Sequence, residues 1–160
     1  MTTKFNEIAF EELPGQRVVC CRIISPEPEN DSITTIQNWL VQHGLNPENR
    51  RSFGFDSMVS PAEAAAGLRG YEAGFTVTED IKADDGVQLR VYGGGMYAVL
   101  RISNAFEKPF ESIPAGWRHL MEQLEINTEW QCSYNLCYEE VVPGDRGNDM
   151  IIYHPVTRRK

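Results

Sequence analysis

The chain lacks the features that would tie it to a membrane, to nucleic acid or to a metal. No run of about 18 apolar residues occurs, so no transmembrane helix is expected. The opening Met1-Thr-Thr-Lys-Phe-Asn-Glu has no apolar signal core, and a cytoplasmic location is expected. Basic residues are scarce: 15 Lys and Arg against 23 Asp and Glu leave a net charge of −8. Phosphate neutralisation needs a basic face, so direct nucleic-acid binding is not expected. The one basic cluster, Arg158-Arg159-Lys160, reads as a solvated tail. An acidic surface suits cationic small molecules or a basic protein partner, and it equally suits plain solubility.

Metal-ligand and nucleophile patterns are missing too. The three histidines, His43, His119 and His154, form no H-x-x-x-H or H-E-x-x-H pattern. The cysteines, Cys20, Cys21, Cys132 and Cys137, form no C-x-x-C pair. Cys20 and Cys21 are neighbours and would point to opposite faces of a strand. All four are read as reduced, mostly buried thiols, with no metal and no cofactor expected. No G-x-S-x-G elbow is present. Gly93-Gly94-Gly95 runs into a strand rather than a helix, which makes it a turn or bulge and not a phosphate loop.

What remains is an ordinary globular composition, 41% hydrophobic and 24% charged, over 160 residues, read as a single domain spanning 1–160 with its core at about 16–156. Strands are predicted at Arg17 to Ile24, Arg51 to Met58 and Gly70 to Thr78. Further strands are predicted at Val87 to Tyr92, Met96 to Ile102, Trp130 to Val142 and Asp149 to Val156. Residues 80–86 read as a charged turn. One helix, capped by Asp31 or Ser32, runs to His43 with Ile33, Ile36, Trp39 and Leu40 in a stripe. A second carries Ile113, Trp117, Leu120, Met121 and Leu124, with an irregular start at Pro109 and Pro114. Ser60-Pro61-Ala62-Glu63 opens a short helical segment.

This order is strand, helix, strand, strand, repeated. It implies an α+β fold of duplicated βαββ units forming one antiparallel sheet, with two main helices on one face and a ligand cleft on the other. Within Cys137-Tyr138-Glu139-Glu140-Val141-Val142, two adjacent carboxylates interrupt an apolar strand. Strand neighbours point to opposite faces, so one glutamate must face a covered side. Counting alternation from Cys132 puts Tyr134, Leu136 and Tyr138 under the helices. It puts Asn135, Cys137 and Glu139 on the open face, and Glu140 on the helix side. The alternative for Glu139 is a cross-strand ion pair with Arg22, Arg90 or Arg101.

Several segments resemble the GyrI-like family, the effector-binding domains of AraC-type and MerR-type activators and their stand-alone relatives. They are Gly70-Tyr71-Glu72-Ala73-Gly74-Phe75-Thr76-Val77, Gly94-Gly95-Met96-Tyr97-Ala98-Val99, Trp117-Arg118-His119-Leu120 and Cys137-Tyr138-Glu139-Glu140-Val141. The ending Ile151-Ile152-Tyr153-His154-Pro155-Val156 completes the set. The resemblance implies a stand-alone effector-binding domain for a small amphipathic or cationic molecule, in a role of multidrug or toxin sensing or sequestration. Glu139 matches the family's ligand carboxylate. Asn135, Cys137, Tyr97, Tyr71, Phe55 and Trp117 are its candidate companions. Two other readings follow from relatives. One is a hydrolase of reactive toxins with Glu139 as general base on water. The other is a protein-interaction module with a regulator or gyrase as partner.

Overall fold

The structure, a computed structural model, describes residues 4–84 and 86–160. Met1 to Thr3 of the expected N-terminus and Asp85 of the expected charged turn lie outside the described residues. The elements in chain order are β1 (Lys4–Phe5), β2 (Ala9–Leu13), β3 (Gln16–Ser25), α1 (Pro28–Gln42), β4 (Ser52–Ser57), α2 (Pro61–Ala65) and β5 (Arg69–Thr76). They continue with β6 (Gln88–Tyr92), β7 (Gly95–Ser103), α3 (Pro109–Ile126), β8 (Trp130–Cys132), β9 (Tyr138–Gly144) and β10 (Gly147–Arg158). The chain forms an α+β fold with antiparallel strands and three helices among the described residues. It divides into two compact units, one of residues 16–92 and one of residues 1–15 with 93–160.

In the 16–92 unit, β3 lies between β5 and β6, and β4 pairs with β5, all antiparallel. The β3–α1–β4–β5 order is the expected βαββ plan. Register puts Val19 opposite Phe75 and Cys21 opposite Ala73. That face buries itself against Ile36, Trp39 and Leu40 of α1. The alternation expected for Tyr71, Ala73, Phe75 and Val77 is therefore the α1-facing side. Helix α1 begins at Pro28, not at Asp31. Proline has its φ pre-set for the first helical position and loses no bond there, which explains the earlier start. Ser60 and Glu63 form a reciprocal capping box at α2.

Acid should weaken this unit through one visible contact. Arg50 donates to Glu79 through Nη1 at 3.1 Å and Nη2 at 2.8 Å. The guanidinium holds the Glu79 carboxyl down at about 2, from an ordinary 4.5. A carboxylate depressed in the folded state stabilises above its unfolded value, and loses that contribution as pH falls through the folded one. Chemical denaturation followed from pH 5 to pH 2 should show stability falling. Glu79→Gln should flatten part of that fall; an unchanged slope would remove Glu79 from the acid response.

In the other unit, β7 pairs with β1, β2 and β10, and β10 also pairs with β8 and β9. The β7–α3–β9–β10 order repeats the βαββ plan. Leu100, Ile102, Met150, Ile152 and Val156 pack against Leu120 and Leu124 of α3. Helix α3 is continuous from Pro109, with Pro114 inside its second turn. Gly116 lets the helix approach β7, because a Cβ there would meet Ile102 Cδ1 at 2.3 Å.

The expected long strand from Trp130 to Val142 is broken: residues 133–137 belong to neither β8 nor β9. The break lies where β10 presents Pro155, which has no N–H for a ladder bond. Ser133 N–H instead donates to the Pro155 carbonyl at 3.0 Å. The Tyr97 hydroxyl donates to the Leu136 carbonyl at 2.9 Å and pins the connecting segment. Strands β1 and β2 were not expected from sequence. The cysteine reading holds for Cys20 and Cys21, which are buried. It fails for Cys132, which is exposed where β8 ends, while Cys137 is half-buried.

Candidate functional site

The break before β9 reverses the face assignment of the two glutamates. Register places Glu139 opposite Ile152, and Ile152 opposite Leu100. Both apolar residues belong to the core under α3. Glu139 therefore lies on the α3 side, and Glu140, opposite Ile151, lies on the other face. The alternation count assumed an unbroken strand from Cys132; five residues outside the ladder destroy that phase. Glu140 does not sit at a strand end reaching water. It is buried, and the Tyr153 hydroxyl donates to its Oε1 at 2.6 Å.

The α3 side of this unit holds Glu139, buried at 9% exposure, with Ile152 directly across and His154 two residues further along β10. Trp117 of α3 is half-buried against the same core, with its ring edge-on to His154 at 6.5 Å between centroids. Glu139 and Trp117 thus share one side of the sheet. Tyr97 lies on the opposite side, where its ring meets Tyr138 edge-on at 5.6 Å and Tyr138 stacks on Tyr153 at 4.6 Å. Burial, then Cys137, push the Tyr97 hydroxyl up to about 12, and burial raises the Cys137 thiol. Asn135 is exposed and structural: its Oδ1 accepts from Leu136 N–H at 2.9 Å and its Nδ2 donates to the Gly94 carbonyl at 3.3 Å. A separate cavity of about 440 Å³ in this unit is lined by Phe5, Ile8, Phe10, His119 and Leu124, and by none of the predicted site residues.

In the 16–92 unit, Tyr71 faces α1. Its ring covers Gly54, where a Cβ would meet the hydroxyl at 2.2 Å. Phe55 lies on the other face, directly across from Glu72. Sequence reasoning passed over Glu72, although it is buried between Tyr71 and Ala73 in a strand buried almost throughout. The Tyr92 hydroxyl donates to its Oε2 at 2.5 Å and Arg90 Nη1 to its Oε1 at 2.8 Å. Burial, then the Glu72 charge, push the Cys20 thiol up to about 12. The three arginines weighed as partners of Glu139 make the following contacts. Arg90 bonds Glu72, Arg101 bonds Asp149 at 2.8 Å, and Arg22 donates to Ser57 Oγ at 2.8 Å and to the Met58 carbonyl.

Repeated βαββ units, each with a carboxylate buried among apolar or aromatic side chains, make an α+β domain of the small-molecule-binding kind. The model of the GyrI-like small molecule binding domain matches residues 6–146, and the chain belongs to that family. No curated protein matches it. Among solved structures it is similar to the EcmrR chain of a cryo-EM EcmrR–DNA complex, at 17% identity and a TM-score of 0.74; the match covers 97% of this chain and 58% of that one. It is also similar to the EcmrR C-terminal domain, at 16% identity and a TM-score of 0.70, covering 96% and 98% of the two chains. A third likeness is to SAV2435 bound to tetraphenylphosphonium, at 16% identity and a TM-score of 0.52, covering 95% and 94%. At these identities the likenesses carry the fold alone. Among the described residues no helix is long and apolar enough to cross a membrane, which says nothing of a β-barrel, and no cluster of His, Cys, Asp and Glu is placed to hold a metal.

Proposed function

We propose that the domain binds a small amphipathic organic cation through Glu139, on the α3 side of β9, and so senses or sequesters such molecules. The observation that carries this is the placement of a buried carboxylate opposite Ile152 and on the same side as Trp117. A carboxylate removed from water attracts an organic cation far more strongly than an exposed one does. An indole face adds about 0.5–2 kcal/mol of cation–π attraction. Glu140 lies on the opposite face of β9, where it accepts the Tyr153 hydroxyl. Membership of a small-molecule-binding family supports the same reading.

Tetraphenylphosphonium, the ligand named with SAV2435, is a suitable probe. Titration followed by tryptophan fluorescence should give saturable binding to the native chain. Glu139→Gln should weaken it at least tenfold, while Glu140→Gln changes it less than threefold. Equal affinity for the native chain and Glu139→Gln would remove Glu139 from the site.

A further inference from the structure

The 16–92 unit contains a second buried carboxylate that the Glu139 reading does not use. Glu72 sits in the middle of β5 on the face away from α1, with 6% of its surface exposed. Phe55 is directly across from it on β4. Tyr92 of β6 supplies both a hydroxyl bond to Oε2 and a ring, tilted against Phe55 at 6.0 Å and against Phe53 at 5.7 Å. A desolvated carboxylate walled by aromatic rings is the chemistry that recognises organic cations. Here the cation present is Arg90. Its guanidinium lies 5.6 Å from the Phe55 ring centre and 6.0 Å from that of Tyr92.

The way Arg90 fills this place is informative. It bonds both Glu72 oxygens, at 2.8 and 3.0 Å, through the single nitrogen Nη1. The stronger arrangement for a guanidinium and a carboxylate is the two-nitrogen fork, which Arg90 does not make. The arginine side chain is 39% exposed while that of Glu72 is 7% exposed, so the guanidinium stands at the mouth and the carboxylate at the floor. Arg90 comes from β6, which pairs with β3 alone among the described strands.

We propose that the Glu72 box is a recognition site for a planar amidinium- or guanidinium-type cation, in which Arg90 acts as an internal stand-in. An incoming ligand presents two N–H groups in a fork to Glu72 and its flat face to Phe55 and Tyr92. Arg90 swings out to water as the ligand enters. The exchange replaces one cation by another, so at no stage is a buried carboxylate left unpaired, the condition that makes breaking such pairs costly. The site is in a different unit from Glu139, and each reading stands or falls without the other.

Benzamidinium, a flat aromatic amidinium, is the probe, and calorimetric titration of the whole chain is the measurement. Arg90→Ala should bind it at least tenfold more tightly than the native chain, and adding Glu72→Gln should abolish the gain. Equal affinity of Arg90→Ala and the native chain, or full retention of the gain in the double variant, overturns the proposal. Should Arg90→Ala fail to fold, the native chain decides the matter. Saturating benzamidinium must shift the Arg90 Nε–H resonance by NMR and must not shift it in Glu72→Gln; no shift in the native chain overturns the proposal.

Discussion

Truncating Trp39 to alanine is expected to destabilise the chain by about 3–5 kcal/mol, the range for removing a buried tryptophan. Trp39 is 3% exposed and packs with Val19, Ile36, Leu40 and Phe75. It also does two things that no aliphatic residue could replace. Its indole N–H donates to Asp84 Oδ1 at 2.8 Å, tying α1 to the segment before β6. Its ring stacks on His43 at 3.9 Å, at the C-terminal cap of the same helix. The variant therefore loses apolar burial and the indole bond to Asp84, whose side chain keeps its His43 contact at 3.3 Å. Urea denaturation checks the magnitude. Trp39→Phe, which keeps most of the volume but not the N–H, should recover more than half of the loss. A loss below about 1 kcal/mol in Trp39→Ala would mean that α1 is not held by this contact.

Leu120→Ala should cost the other unit about 2–5 kcal/mol. Leu120 is fully buried against Leu100, Ile102, Leu124 and Ile152. The apolar face that α3 closes over β7 and β10 is the same face that carries Glu139. Gly116, one turn earlier, already brings the helix close to β7, so the structure around Leu120 has little room to collapse into the gap. The cost should accordingly fall in the upper part of the range. The same denaturation measurement tests it, and Leu120→Met, nearly equal in volume, should cost less than about 1.5 kcal/mol. If both variants cost the same, shape rather than filled volume governs the site.

Much of this architecture is readable from the amino-acid order, and the misreadings have definable causes. The strand at Gln16–Ser25 carries a run of Val, Ile and Cys, and both long helices carry stripes at helical spacing, so local pattern was sufficient for them. Strands β1 and β2 escaped notice because Lys-Phe and Ala-Phe-Glu-Glu-Leu have little strand character of their own; they are strands because β7 offers them an edge. The interruption before β9 escaped notice because its cause, Pro155, lies some twenty residues away in sequence and acts only once β10 is in place. That one long-range effect exchanged the faces of Glu139 and Glu140. Of the companions named for Glu139, Trp117 shares its side of the sheet, whereas Tyr97 lies on the other. Glu72 was legible in principle. It interrupts an apolar strand as Glu139 does.

The central claim is that Glu139 recognises positive charge, and charge discrimination tests it most directly. The measurement is the ratio of affinities for tetraphenylphosphonium and for neutral triphenylphosphine oxide, a related aryl phosphorus compound without the charge, in the native chain and in Glu139→Gln. The account predicts that the native chain prefers the cation at least tenfold and that the preference collapses towards unity in Glu139→Gln. A native chain that binds the two equally, or a Glu139→Gln variant that keeps the full preference, would contradict it.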